Sequence, residues 1–241
     1  MLVVHVPKTG GTSLRRMLAA HVPPGEVFLS TGQLEFADQS IRQLSRYTLF
    51  VGHNFLEPMY LLPDEQWTTL LAARDPVAWW RSLYSHTRQR ALEAGLTEHA
   101  HVTMSMGQWV DSRTDEQLSN GQTSWLLART RIMFDSRLAR AASASSTVAE
   151  SYRRSGQLVD LLDMLLERIT VLGVTENLQQ VYVDACKAFG WEPIHTEAMR
   201  ENVTPQDPEL VALSDAQLNR LRGLNGLDHY LYERALERNR G

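Results

Sequence analysis

Short apolar runs alternate with amphipathic stretches near both ends of this chain. Leu2 to Val6 is an apolar run broken by His5, and it ends in Pro7-Lys8-Thr9-Gly10-Gly11-Thr12-Ser13. Beyond it Leu14, Met17 and Leu18 share one face at helical spacing and Arg15 and Arg16 another, which reads as strand, glycine-rich turn, helix. Thr48-Leu49-Phe50-Val51 predicts a second strand, closed by Gly52-His53-Asn54. Thr69 to Ala73 predicts a third, which runs into Arg74-Asp75-Pro76. There Asp75 suits an N-cap and Pro76 the first position of a helix continuing through Trp79, Trp80, Leu83 and Tyr84 to Arg90. Ile169 to Leu172 predicts a fourth strand, followed by Gly173-Val174-Thr175-Glu176 and a helix over Leu178 to Phe189.

Between these units the pattern turns helical. Met106 to Val110, Ser124 to Ala128 and Leu158 to Leu166 are its apolar pieces, and two more helices are expected near Ser214–Leu224 and Leu227–Arg238. Ala139 to Ser155 is rich in Ala and Ser with little periodicity, which fits either a loop over an acceptor site or a weak surface helix. Apolar strands alternating with helices point to the α/β class, a three-layer sandwich with a mostly parallel central sheet covered on both faces and interrupted by helical insertions. No internal repeat or linker stands out, so residues 1–241 read as a single domain.

Composition narrows the classes. At 241 residues, 43% hydrophobic and 22% charged, the chain can bury a full core. It has no apolar run long enough to span a bilayer. Its first residues lack the basic region and cleavage site of a signal peptide and read as a strand. One cysteine, Cys186, cannot form an internal disulfide, which fits a reducing cytoplasm and a small buried apolar role on a helix. A net charge of −4 argues against nucleic acid as a partner. Only Lys8 and Lys187 are lysines, so arginine supplies the other 22 of the 24 basic residues. The one lysine near the N-terminus therefore stands inside the glycine-rich turn, where a compact point charge differs from a planar fork.

That turn carries the candidate chemistry. N–H groups at a helix start favour an anion. Gly10 and Gly11 permit close approach of the backbone, Thr12 and Ser13 add hydroxyls, and Lys8 adds charge. Lysine precedes the glycines here, whereas the nucleoside triphosphatase loop places it after them. The pattern suggests a phosphate site for a nucleotide other than a Mg²⁺-bound triphosphate.

Pro7 to Leu14, PKTGGTSL, is similar to the 5′-phosphosulfate loop of the sulfotransferases that use 3′-phosphoadenosine 5′-phosphosulfate (PAPS). Arg74 to His86, RDPVAWWRSLYSH, is similar to the same family's 3′-phosphate segment, in which an arginine at a strand end and a serine eight residues later hold the ribose 3′-phosphate. Arg74 and Ser82 have that spacing. The chain thus resembles the heparan sulfate 2-O- and 6-O-sulfotransferase group and its bacterial relatives. Weaker matches are Asn120-Gly121-Gln122-Thr123, Gly173-Val174-Thr175-Glu176, and Leu227-Asp228 with Leu231-Tyr232. The resemblance implies a P-loop-like nucleotide-binding fold and an enzyme with PAPS as co-substrate and adenosine 3′,5′-bisphosphate as product. It implies cofactor contacts from Lys8, Thr9, Gly10, Gly11, Thr12, Ser13, Arg74 and Ser82. Two anion sites, each where a strand passes into a helix, would both fall at the carboxyl edge of a parallel sheet.

An acceptor hydroxyl must lose its proton, and a neutral imidazole with a pKa of about 6.5 suits that task. Among eight histidines His53 follows the second strand directly, at the edge that holds the glycine-rich loop. The resembled 2-O-sulfotransferases carry Gly-His at a similar place and use a histidine as base. The expected catalytic residues are therefore His53 as base and Lys8 beside the leaving phosphate, in a single in-line displacement that requires no metal. His86 reads as structural or as a partner of a site residue. His99 and His101 form an H-x-H pair without a third ligand nearby.

The negative balance favours a small-molecule or glycan acceptor over a sulfated polymer: a glycoside, a lipid-linked sugar or a secondary metabolite. Trp79 and Trp80 suit core packing better than sugar stacking. Two alternatives stay open, a phosphotransferase with a variant nucleotide loop and a non-catalytic nucleotide-binding module.

Overall fold

The computed structural model describes residues 1–30, 39–52, 62, 66–129, 156–194 and 207–238. Its centre is a five-stranded sheet, β1 (Leu2–Val4), β2 (Val27–Ser30), β3 (Leu49–Gly52), β4 (Thr69–Ala73) and β5 (Val171–Val174), in the order β2-β3-β1-β4-β5. Every pairing is parallel. In chain order the helices are α1 (Gly11–Ala19), α2 (Ile41–Leu44), α3 (Pro76–Glu93), α4 (Ala100–Thr103), α5 (Met106–Asp111), α6 (Gly121–Arg129), α7 (Gln157–Leu166), α8 (Leu178–Phe189), α9 (Asp215–Leu224) and α10 (Gly226–Arg238).

The strands are short and apolar because both faces are covered. Alternate residues serve opposite sides. Val4, Phe50, Leu71 and Leu172 join Leu126 of α6, Leu162 and Leu165 of α7 and Leu231 of α10 in one core. Val3, Val51, Leu70 and Val171 join Leu14 and Leu18 of α1 and Val181 and Cys186 of α8 in the other. Each fully buried leucine in these layers contributes about 2 kcal/mol of apolar transfer. A third cluster packs Trp79, Trp80 and Tyr84 of α3 against Met106 and Trp109 of α5 and Leu221 of α9.

Several expectations shift. The second predicted strand runs Leu49–Gly52, so Gly52 pairs with Val4 inside the ladder and does not close it. The edge strand β2 has no counterpart in the sequence reading: it is only four residues long and exposes Leu29. The fourth predicted strand starts two residues late, at Val171, so Gly173 lies inside β5 opposite Ala72 and does not end it. The first strand stops at Val4, leaving His5 and Val6 outside the ladder. The helix after β4 forms as its caps predict, with the Asp75 carboxylate accepting from Ala78 N at 2.8 Å and Pro76 in the first turn. Among the described residues no helix is long and apolar enough to cross a membrane. Ala139–Ser155 lies outside the described residues.

Candidate functional site

Strands β1 and β4 are neighbours, with Val4 opposite Leu71. The chain leaves β1 toward α1, on the side of the second core, and leaves β4 toward α3, which packs with α6 and α10 on the opposite side. Ligands of parallel sheets bind at such a reversal, at the carboxyl edge. Lys8 follows β1 and Arg74 follows β4 at that edge.

The loop between β1 and α1 turns through two left-handed residues, Lys8 (φ 66°) and Gly10 (φ 80°). That conformation is free for glycine and costs a lysine of order 1 kcal/mol or more. Thr9 is buried, its Oγ1 donating to the Val6 carbonyl at 2.8 Å and its N–H reaching the same oxygen at 3.4 Å. Both Thr9 donors are turned inward and close the loop. Gly10 caps α1 without a side-chain hydrogen bond, no acidic residue sits in the first turn, and Leu14 N–H returns to the Gly10 carbonyl at 3.1 Å. The N-terminal end of α1 therefore keeps its positive potential. Thr12 is half-buried and Ser13 buried in that turn. Gly11 has a second reason to be glycine: the His5 ring occupies the place a Cβ would take.

From the end of β4, Arg74 Nη1 donates to the Lys8 carbonyl at 3.0 Å. Arg74 Nε is buried with no hydrogen-bond partner among the described residues. Burial pulls the Arg74 guanidinium below arginine's ordinary range, while the Glu176 and Asp75 carboxylates act the other way. Burial, and after it the Arg74 charge, pulls the Lys8 ammonium below the usual lysine range. Two partly desolvated cations that lower each other's preference for charge suit an anion.

Helix α3 packs against the glycine-rich loop. Trp79 Nε1 donates to the Pro7 carbonyl at 2.7 Å and anchors the loop. Trp80 Nε1 donates to Asn225 Oδ1 at 3.1 Å, and both indoles are buried, so packing is their role. Ser82 is buried one turn further along. His86 follows on the same side, two turns beyond Trp79, since residues seven apart nearly eclipse on a helix. Burial lowers the His86 pKa, the charges of Lys8 and Arg90 lower it further, and Glu93 opposes them. His86 thus answers to the glycine-rich loop as well as to its own helix.

A polar scaffold supports Arg74 from behind. Arg74 N–H donates to Gln122 Oε1 at 3.0 Å, and Gln122 Nε2 donates to the Arg74 carbonyl at 2.9 Å. The backbone N–H groups of Gln122 and Thr123 donate to the two oxygens of Asp228, at 3.0 and 2.7 Å. Asn120, left-handed at φ 45°, accepts from Leu227 N at 2.9 Å. Residues around Asn120, Thr175 and Asp228 all meet near the end of β4: Thr175 Oγ1 donates to the Ala73 carbonyl at 3.0 Å, and Glu176 Oε1 accepts from Asp75 N at 3.3 Å. The sequence carried these residues as disconnected fragments because their contacts are long-range. A glutamine and an aspartate fully buried at helix starts were the available signal.

His53 lies outside the described residues; it follows Gly52, the last residue of β3, whose partner is Val4. His99 and His101 stack with ring centroids 5.1 Å apart, and His99 Nδ1 caps α4. Cys186 is buried at helix α8 with its sulfur 3.6 Å from His21 Nε2, and burial pushes its thiol pKa up. That places it in the packing role expected of it. No protein-family model, curated protein or solved structure matches this chain.

Proposed function

We propose that this chain is a PAPS-dependent O-sulfotransferase with a P-loop-like nucleotide site. The single observation behind the reading is the junction of Lys8 and Arg74: two basic residues just past adjacent strand ends, the Arg74 guanidinium bonded to the Lys8 carbonyl at 3.0 Å, with Arg74 Nε buried and without a partner among the described residues. A doubly anionic adenylate answers both, and the N-terminus of α1, which has no side-chain cap bond, supplies amides for one of its ends. The residues fit that ligand. Lys8 and the amides of Gly10, Gly11, Thr12 and Ser13 would hold the 5′ side, and Arg74 with Ser82 the 3′-phosphate. Thr9 serves by shaping the loop.

In the transfer, an acceptor oxygen bonds to sulfur as the bond between sulfur and the bridging oxygen breaks. Lys8 offsets the charge left on the departing phosphate. His53 takes the acceptor proton, as the residue next after β3 on the edge that carries Lys8. The acceptor is a small molecule or glycan with little negative charge, in keeping with a chain of net charge −4. A lone buried cysteine is compatible with work in the cytoplasm.

Calorimetry with adenosine 3′,5′-bisphosphate, ATP and GTP, each with and without Mg²⁺, tests the nucleotide. Metal-independent binding of the bisphosphate alone is expected. A preference for ATP with Mg²⁺ would move the chain to phosphoryl transfer. His53→Ala should keep bisphosphate affinity and abolish transfer, and surviving turnover would remove His53 from its role.

A further inference from the structure

Arg74 is held at both ends by uncharged groups. At its backbone, the Gln122 carboxamide accepts from the N–H and donates to the C=O, at 3.0 and 2.9 Å. This double bond pattern is what a neighbouring strand would provide, supplied here by one side chain just past the end of β4. At its tip, Nη1 is fixed on the Lys8 carbonyl. Its Nε is buried and without a partner among the described residues, while the Glu176 and Asp75 carboxylates act on the same guanidinium through space.

Gln122 is itself seated. It is fully buried, and its own N–H and that of Thr123 end on the Asp228 carboxylate, which arrives from α10 and is fully buried too. A buried carboxylate that accepts two amides at a helix start works as a cap for α6 borrowed from a distant helix. If Gln122 only filled space, an aliphatic side chain would serve; instead both ends of its amide go to the Arg74 backbone.

We propose that Gln122, seated by Asp228, is a positioning residue that aims Arg74 and so sets discrimination for a ligand carrying a second phosphate. The discrimination half rests on the nucleotide reading above; the positioning half does not.

The test follows the ¹⁵N-labelled Arg74 side chain by NMR, together with calorimetry for adenosine 3′,5′-bisphosphate and adenosine 5′-monophosphate. Gln122→Met keeps the volume and removes both bonds. It should speed hydrogen exchange at Arg74 Nε and lower bisphosphate affinity about tenfold, the loss of roughly one charge-assisted hydrogen bond. Monophosphate affinity should change by less than about twofold, because Arg74 has no second phosphate to meet. Gln122→Glu, which keeps only the acceptor, should fall between, and it decides by the same readouts should Gln122→Met fail to fold. Unchanged exchange at Arg74, or equal loss for both nucleotides, overturns the proposal. If exchange follows Gln122 while the wild-type chain binds neither nucleotide, positioning stands and the sulfotransferase reading falls.

Discussion

Arg74 Nη1 donates to the main-chain carbonyl of Lys8 across 3.0 Å, so the lysine's backbone and its side chain both lie in reach of a second positive charge. Burial and Arg74 together depress the Lys8 pKa. The unfolded chain then binds the lysine proton more tightly than the folded one, and stability should rise with pH between the lowered value and lysine's ordinary value of about 10.4. Labelling the chain's two lysines with ¹³C gives a direct titration. The Lys8 resonance should titrate below the free amino acid, and Arg74→Gln should move it up. A Lys8 titration that Arg74→Gln leaves unmoved would separate the two charges.

Gly11→Ala should destabilise the fold by about 1–3 kcal/mol, the ordinary range for overpacking. The added methyl lands on the His5 ring, which must swing away from the loop. Urea unfolding measures the cost. The proton shifts of the His5 ring should change with it, whereas Gly25→Ala, which meets nothing, should leave both unmoved.

Asn225 ties three elements together inside the protein. Its Nδ2 donates to the Leu118 and Leu221 carbonyls at 2.9 and 2.7 Å, and its Oδ1 accepts from Trp80 Nε1. Asn225→Ala leaves an indole N–H and two carbonyls short of partners in a dry site. A loss of about 2–4 kcal/mol is expected, with the indole fluorescence transition moving to lower denaturant.

His101 sets a limit on acid stability. Burial, with the neighbouring His99 and Arg113, pushes its pKa down to about 4. Between pH 4 and the ordinary value of about 6.5 the unfolded state binds the extra proton, so stability falls as pH drops through that window. His101→Phe should flatten that part of the melting-temperature profile. A profile identical to wild type would show that other groups govern the acid limb.

The secondary structure that the sequence reveals is the part encoded locally. Asp75-Pro76 announces its helix, and the carboxylate does cap it. Leu14, Met17 and Leu18 announce the buried face of α1, and all three are buried. The strand β2 stays hidden because four residues at a sheet edge, with Leu29 exposed, carry no period. Gly173 misleads for a related reason: a glycine read alone suggests a turn, but opposite Ala72 it is one rung of a ladder.

At the site the division is sharper. The residue types of the glycine-rich loop and the Arg74 segment stand in the sequence, since charge, hydroxyl content and helix-start chemistry belong to consecutive residues. Which donors face outward is another matter. Thr9 turns inward because its hydroxyl finds the Val6 carbonyl one turn back. The meeting of Lys8 with Arg74, the grip of Gln122 on the Arg74 peptide and the burial of Asp228 beneath both depend on strand order. Hydrogen bonds between residues far apart in the chain have no local period to betray them: the sheet sets Arg74 beside Lys8, and the packing of α6 and α10 over the end of β4 brings in Gln122 and Asp228.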